Sequence, residues 1–215
     1  MEKQCVLKLI EETKIVGIVR KVPKHSAYHT ANALVEGGLK VLEFTAETPQ
    51  IASIIEDVKS KLPDTVAVGV GTVLDGETAR IMILAGADFI VTPTLNRSTM
   101  EVCLRYGKPV IPGAMTPTEI LTAYTQGADY VKVFPADVLG PGFFKSLKGP
   151  LGHIPLMATG GISKANAKAY LDAGSAAVGV GGSLVPAQAV ADKDYGAIKK
   201  AAKQLVGSVE GRENL

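Results

Sequence analysis

The chain is 215 residues long, 47% of its residues are apolar and 20% are charged, and its formal net charge is +2. A chain of this length and composition can bury a large core, which excludes an intrinsically disordered protein. It has no Trp and few other aromatic residues, and its basic and acidic residues are mixed along the chain. These features argue against a nucleic-acid-binding protein, which needs a clustered basic face or aromatic side chains that stack on bases.

The cysteines and the start of the chain indicate the compartment. Cys5 and Cys103 are too few and too far apart for a disulfide framework, which favours a reducing environment. The opening stretch, MEKQCVLKLIEETK, lacks the apolar core and cleavage site of a signal peptide. No apolar run reaches the roughly 18 residues that a membrane span needs. We therefore expect a soluble, cytoplasmic protein.

Eight short runs rich in Val and Ile recur along the chain, and amphipathic segments separate them. Runs of this kind predict strands that are buried on both faces of a sheet. In chain order, the runs are Ile15–Val19, Val41–Thr45, Val66–Val70, Phe89–Val91, Val110–Ile111, Tyr130–Phe134, Leu156–Ala158 and Ala176–Val180.

The segments between these runs have helical spacing. Over residues 51–62, apolar side chains fall at i, i+3, i+4, i+7 and i+11, which is one face of a helix. Thr116 and Glu119 have the spacing of a capping box and predict the start of the fifth helix. Asp75 and Ser163 are predicted to cap the third and seventh helices.

Strands and helices that alternate eight times, with no break in composition, predict a closed (β/α)8 barrel, also called a TIM barrel. We assign residues 1–215 to this single α/β domain, since such barrels often have about 200–250 residues. Apolar periodicity before the first strand and near the end of the chain predicts an extra N-terminal helix and a C-terminal helix. A doubly wound open sheet is the alternative, and the count of eight strands favours the barrel.

Lys132 lies in the middle of the sixth predicted strand. Active sites of such barrels lie at the C-terminal ends of the strands, so a polar residue within an apolar run is a candidate. Burial disfavours the charged amine and lowers its pKa, which is one way to make a nucleophile at neutral pH. The alternatives are a lysine that pairs with an acid, one whose amine reaches solvent, and one that binds phosphate.

Glu43 lies in the second predicted strand. Strand alternation directs Val41, Glu43 and Thr45 to the same side. If that side is the lumen, the carboxylate faces Lys132 and can transfer protons during imine formation and carbon–carbon cleavage. The alternative is a structural ion pair between Glu43 and Lys132.

Two glycine-rich turns follow the seventh and eighth strands. Barrels of this type often bind phosphate or another anion with these two loops, because glycine lets backbone N–H groups approach the ligand. The alternative is that they are ordinary turns. The candidate anion-binding residues are Gly160, Gly161, Gly181, Gly182 and Ser183.

Further candidates end other strands. Arg20 ends the first strand and can hold a substrate carboxylate, although a surface ion pair is the alternative. Thr72 ends the third strand and is a possible hydrogen-bond donor to the substrate, and Pro93 follows the fourth and contributes to the pocket wall. His25 and His29 have i, i+4 spacing but no third ligand nearby, so we read them as part of a solvated helix surface and expect no metal.

Taken together, these segments resemble the bacterial 2-keto-3-deoxy-6-phosphogluconate (KDPG) / 4-hydroxy-2-oxoglutarate (KHG) aldolase family. The likeness extends, in order and with similar spacing, from about Lys14 to Pro186. The motifs that carry it are LEFT (42–45), VGVGTV (68–73), IPGAMTPTE (111–119), VKVFPA (131–136), ATGGIS (158–163) and VGGSLV (180–185).

The resemblance implies a class I aldolase that needs no metal or other cofactor and assembles as a homotrimer. It implies that Lys132 forms a Schiff base with the keto carbon of pyruvate and that Glu43 is the general acid and base. It further implies that Thr72, Phe134 and Thr159 line the pyruvate pocket, and that the two glycine-rich loops hold the substrate phosphate.

One position departs from the family pattern. Many members carry an arginine that binds the substrate carboxylate where this chain has Glu47, and an acid there would repel a carboxylate. Other members carry an arginine at the end of the first strand, which Arg20 matches. Either carboxylate binding has moved to Arg20 or the substrate differs.

We therefore predict a lyase that acts on a small keto-acid sugar phosphate and binds neither nucleic acid nor membrane. Two other functions are compatible with the barrel. One is a different phosphate-binding enzyme, such as an isomerase or a synthase, in which Lys132 is a charged anion ligand. The other is a catalytically idle barrel that binds a sugar phosphate, because a fold alone does not fix function.

Overall fold

The computed structural model describes residues 1–211 of the chain, so residues 212–215 of the predicted domain lie outside the described residues. Helices and strands alternate along this part of the chain. The strands are β1 (Ile15–Val19), β2 (Val41–Thr45), β3 (Ala67–Gly71), β4 (Ile90–Val91), β5 (Val110–Ile111), β6 (Gly113–Ala114), β7 (Val131–Val133), β8 (Leu156–Thr159) and β9 (Ala177–Val180). The helices are α1 (Lys3–Thr13), α2 (Lys24–Glu36), α3 (Ile51–Lys61), α4 (Gly76–Leu84), α5 (Arg97–Arg105), α6 (Pro117–Thr125), α7 (Ala136–Leu151), α8 (Ala167–Ala173), α9 (Ala187–Ala191) and α10 (Tyr195–Glu210).

All nine strands form one parallel sheet in the order β5-β4-β3-β2-β1-β9-β8-β7-β6. The two end strands, β5 and β6, are consecutive segments of the chain that are separated only by Pro112. Proline has no N–H to donate and interrupts the regular ladder, while its carbonyl still accepts a hydrogen bond from the Lys132 N–H at 2.8 Å. The interrupted fifth strand thus closes the sheet, and the predicted (β/α)8 barrel with an extra N-terminal helix is confirmed.

The base of the barrel is filled by apolar side chains. On β1, β2 and β3 they come from the first or second residue of the strand, and α1 adds Val6 and Ile10 and closes this end. Because strand residues alternate between the lumen and the outside, the next inward residues lie one layer closer to the C-terminal ends. The lumen cluster consists of Val6, Ile10, Val16, Val41, Ala67, Phe89, Val91, Ile111, Tyr130, Met157 and Ala177.

The helix-start predictions have mixed outcomes. The capping box of α6 is present, since the Thr116 hydroxyl and the Glu119 carboxylate each accept from the other's backbone N–H. Asp75 caps α4 by accepting from Thr78 N–H. The prediction for Ser163 holds only for the turn before α8: its hydroxyl accepts from Ala165 N–H at 3.3 Å, whereas the residue that precedes α8 is Asn166. Across residues 1–211, no helix combines the length and the apolar character that crossing a membrane requires.

Candidate active site

A cavity of about 390 Å³ opens at the C-terminal ends of the strands. It brings together residues from β1, β2, β7, β8 and β9 and from the loops that follow them. The predicted site residues that line it are Arg20, Glu43, Lys132, Phe134, Thr159, Gly160, Gly161, Gly181, Gly182 and Ser183. The lining residues that were not predicted are Ile18, Ile162, Ser163 and Gly179.

Lys132 is the central residue of β7, and only 4% of its surface is exposed. Its strand neighbours in register are Gly113 on β6 and Met157 on β8. Burial lowers the pKa of the Lys132 amine, and the negative charge of Glu43 offsets this only in part. The amine nitrogen lies 4.9 Å from the centre of the Phe134 ring. This environment favours a neutral, nucleophilic amine.

Glu43 is the central residue of β2 and is 1% exposed. Its Oε2 atom is buried without a hydrogen-bond partner among residues 1–211. Burial raises the pKa of Glu43, although the positive charges of Lys132 and Arg20 act in the opposite direction. Within the described residues, no hydrogen bond or ion pair of 4.0 Å or less joins Glu43 to Lys132. The structural ion pair that the sequence left open as an alternative is therefore not formed.

Glycines on neighbouring strands leave space for the polar side chains of Glu43 and Thr159. A Cβ atom on Gly71 of β3 would lie 1.7 Å from Glu43 Oε1, and one on Gly179 of β9 would lie 2.6 Å from Thr159 Oγ1. This role of Gly71 and Gly179 was not predicted from the sequence. The only signal in the sequence was that glycine stands at lumen-facing positions of strands that are otherwise rich in Val and Ile.

The two glycine-rich loops converge on one side of the cavity. Gly160 and Gly161 adopt φ values of +101° and +65°, a region that favours glycine. The backbone N–H groups of Gly161, Gly182 and Ser183 find no acceptor within residues 1–211. The Ser183 hydroxyl donates to the Ile162 carbonyl at 3.0 Å. The loops therefore offer unpaired donors to an anion, chiefly from the backbone.

Arg20 lies at the mouth of the cavity. Its Nη1 atom is 2.5 Å from Glu47 Oε1, and its Nη2 atom is 3.5 Å from Thr72 Oγ1. The negative charge of Glu47 is therefore paired. Arg20 weakens the repulsion between Glu47 and a substrate carboxylate that the sequence predicted. Thr72 contacts Arg20 but does not line the cavity itself.

Pro93 also lies outside the cavity lining. Its carbonyl packs against Gly113, where a Cβ atom would come within 2.1 Å of Pro93 O. Pro93 therefore supports the strand beside Lys132 and does not form the wall that was predicted. Among residues 1–211, no group of three or more His, Cys, Asp or Glu side chains is arranged to hold a metal ion.

The sequence of the chain is similar to that of known proteins. The family model described as "Aldolase: KDPG and KHG aldolase" matches residues 6–201. A 2-dehydro-3-deoxy-phosphogluconate aldolase of Treponema pallidum is 34% identical over 207 residues, which cover 94% of this chain and 98% of that protein. A KHG/KDPG aldolase of Escherichia coli K12 is 36% identical over 191 residues, which cover 88% of each chain.

A solved structure is similar as well. The KDPG aldolase of Legionella pneumophila, with pyruvate captured as a covalent carbinolamine intermediate, superposes with a TM-score of 0.86. It is 26% identical to this chain, and the match covers 93% of this chain and 97% of that one.

Proposed function

The chain belongs to the KDPG and KHG aldolase family of lyases, and we propose that it cleaves a 2-keto-3-deoxy sugar acid through a Schiff base on Lys132. The observation that carries this proposal is the environment of Lys132. The amine is buried within the lumen, its pKa is lowered, and a carboxyl group with a raised pKa lines the same cavity. A nucleophile and a proton carrier thus line one cavity.

The reaction begins when neutral Lys132 attacks the C2 ketone and forms a carbinolamine. Protonated Glu43, directly or through a water molecule, gives its proton to the hydroxyl that leaves as water, and the protonated imine forms. Glu43, now a carboxylate, takes the proton of the C4 hydroxyl, the C3–C4 bond breaks, and its electrons move into the imine. The aldehyde leaves, and the enamine is protonated at C3 and hydrolysed to pyruvate and free Lys132.

The unpaired N–H groups of the two glycine-rich loops support a phosphorylated substrate. In this proposal the loops hold the phosphate of KDPG, and the products are pyruvate and glyceraldehyde 3-phosphate. With KHG the aldehyde product is glyoxylate. The names of the Treponema and Escherichia relatives support both substrates.

A homotrimer in the cytoplasm is part of the proposal. Its support is the family resemblance together with apolar side chains that three successive helices expose to solvent, a common mark of an interface. Light scattering of the purified protein tests the assembly, and we expect a mass about three times that of the 22.4 kDa chain. A monomeric mass would contradict it. The exposed side chains on α4, α5 and α6 are Ile81, Leu84, Leu104, Leu121 and Tyr124.

The function is tested by incubating the protein with pyruvate and sodium borohydride and measuring intact and peptide masses. We expect one reduced pyruvate adduct per chain, on the peptide that contains Lys132, because borohydride reduces an imine to a stable amine. Absence of the adduct from folded protein would contradict the aldolase function. It would favour the alternative barrel enzyme in which Lys132 binds an anion as a charged group.

A further inference from the structure

We propose that Glu47 is a positioning residue: it holds the Arg20 guanidinium at the cavity mouth, beside Thr72, to receive the C1 carboxylate of the keto acid. This inference rests on the proposed function. Glu47 does not line the cavity, so it acts on the substrate only through Arg20.

Arg20 is the one permanent cation among the described residues that line this cavity. The other basic residue there is Lys132, and it has to be neutral to attack the ketone. A keto acid brings a carboxylate next to the carbon that Lys132 attacks. Arginine stays protonated and presents a fork of N–H donors that matches a carboxylate. Arg20 is therefore the residue that binds the substrate carboxylate.

The Arg20 side chain must be held in place if it is to bind the substrate carboxylate. Its side chain is 55% exposed, and a long, exposed side chain loses rotamer freedom when it is fixed on a ligand. Glu47 binds Nη1 at 2.5 Å and leaves Nη2 beside the Thr72 hydroxyl. Thr72 has a φ of +58°, a conformation that is unfavourable for a β-branched residue and is typical of functional sites.

The turn that carries Glu47 is itself fixed to the barrel. The Ala46 N–H donates to the Gly71 carbonyl of β3 at 2.7 Å, and the Thr48 N–H donates to the Thr45 carbonyl at 3.0 Å. The Glu47 carboxylate therefore starts from a backbone that is tied to two strands. The Glu47 carboxylate can therefore fix the position of the Arg20 guanidinium. Without it, the exposed Arg20 side chain would be free to adopt other rotamers.

The charges of Arg20 and Glu47 have opposite effects on the pKa values of Lys132 and Glu43. Arg20 lowers the pKa of both Lys132 and Glu43, and Glu47 raises both. Removal of Glu47 takes away a negative charge that raises the pKa of Lys132, so this pKa falls. The pH profile of imine formation should then move to lower pH, which a purely structural role of Glu47 would not cause.

The test compares Glu47→Ala, Glu47→Gln and the control Glu56→Ala, an exposed acid on α3, in borohydride trapping with pyruvate. For Glu47→Ala we expect the half-saturating pyruvate concentration to rise about 1.5- to 5-fold, with the rate at saturation nearly unchanged and the pH profile shifted down. Glu47→Gln keeps an oxygen that accepts from Arg20 and should recover part of the affinity. An unchanged or lower half-saturating concentration in Glu47→Ala would overturn the proposal and make Glu47 a competitor of the substrate.

A second measurement separates this inference from the proposed function. Pyruvate that binds at Arg20 raises the thermal unfolding midpoint even where no imine forms. If wild-type protein gives no adduct, the proposed function fails. Loss of the pyruvate-induced stabilisation in Glu47→Ala, but not in Glu56→Ala, would still support the positioning role. Equal stabilisation of both variants, or none in the wild type, would overturn it.

Discussion

Replacement of Lys132 by arginine is expected to lower the rate of aldol cleavage by about 10⁴-fold or more. Arginine fills a similar volume, but its guanidinium stays protonated and cannot attack a ketone. The measurement is pyruvate release from KDPG and from KHG, together with borohydride trapping. The variant should form no adduct.

The matched control is Lys145→Arg, which changes an exposed lysine on α7 and should retain wild-type activity. Full cleavage by Lys132→Arg would contradict the Schiff-base mechanism. If Lys132 were a charged anion ligand instead, arginine would replace it with a modest loss of activity. The single substitution therefore separates the nucleophile from the ligand role.

The pH dependence of the wild type provides a further check on the same residue. Below its pKa, Lys132 is an ammonium group and cannot attack; above it, the amine is neutral. Burial lowers the pKa of Lys132 from the ordinary lysine value. Imine formation should accordingly rise with pH and reach its plateau at a lower pH than an exposed lysine would give.

The strands could be predicted from the sequence because parallel strands buried on both faces appear as uninterrupted apolar runs. The bounds of β1 and β2 agree with the prediction at both ends. The same reasoning singled out Lys132 and Glu43, since a polar residue within such a run is conspicuous. What the sequence could not indicate was the continuation of the fifth strand beyond Pro112, because an isolated proline normally ends a strand.

Contacts between distant segments could not be predicted. The space for the Glu43 carboxylate depends on the register that aligns Thr45 of β2 with Gly71 of β3, and register is a property of the assembled barrel. The pairing of Arg20 with Glu47 joins residues that are 27 positions apart. From the sequence, Glu47 indicated only repulsion of a carboxylate. In the folded chain its carboxylate is paired with the Arg20 guanidinium.

The lumen as a whole explains why burial disfavours the charged forms of two ionisable groups that line the same cavity. An amine and a carboxyl group share a cavity in which burial outweighs their mutual attraction, so the pKa of Lys132 falls and that of Glu43 rises. Such opposed shifts are typical of groups that exchange protons with a substrate. A structural ion pair would keep both groups charged and in contact, which this barrel does not do.

Replacement of Glu43 by glutamine is expected to lower kcat by about 10²- to 10⁴-fold, because the amide fills the same space but cannot carry a proton. Unlike Lys132→Arg, this variant keeps the nucleophile, so borohydride should still trap pyruvate on Lys132, though more slowly. Single-turnover cleavage and trapping rates separate the two steps. Wild-type kcat in Glu43→Gln would contradict the proton-transfer role.

Gly71→Ala tests the same carboxylate by displacement. The added methyl group would lie 1.7 Å from Glu43 Oε1, so the carboxylate has to move although its chemistry is unchanged. We expect kcat to fall in Gly71→Ala and not in the control Gly142→Ala, where an added Cβ meets no atom within 4 Å. Circular dichroism must show a folded barrel for this comparison to count. If both Gly71→Ala and Glu43→Gln lose cleavage while Lys132 is still trapped, the position of the carboxylate and its proton are both required for the carbon–carbon step.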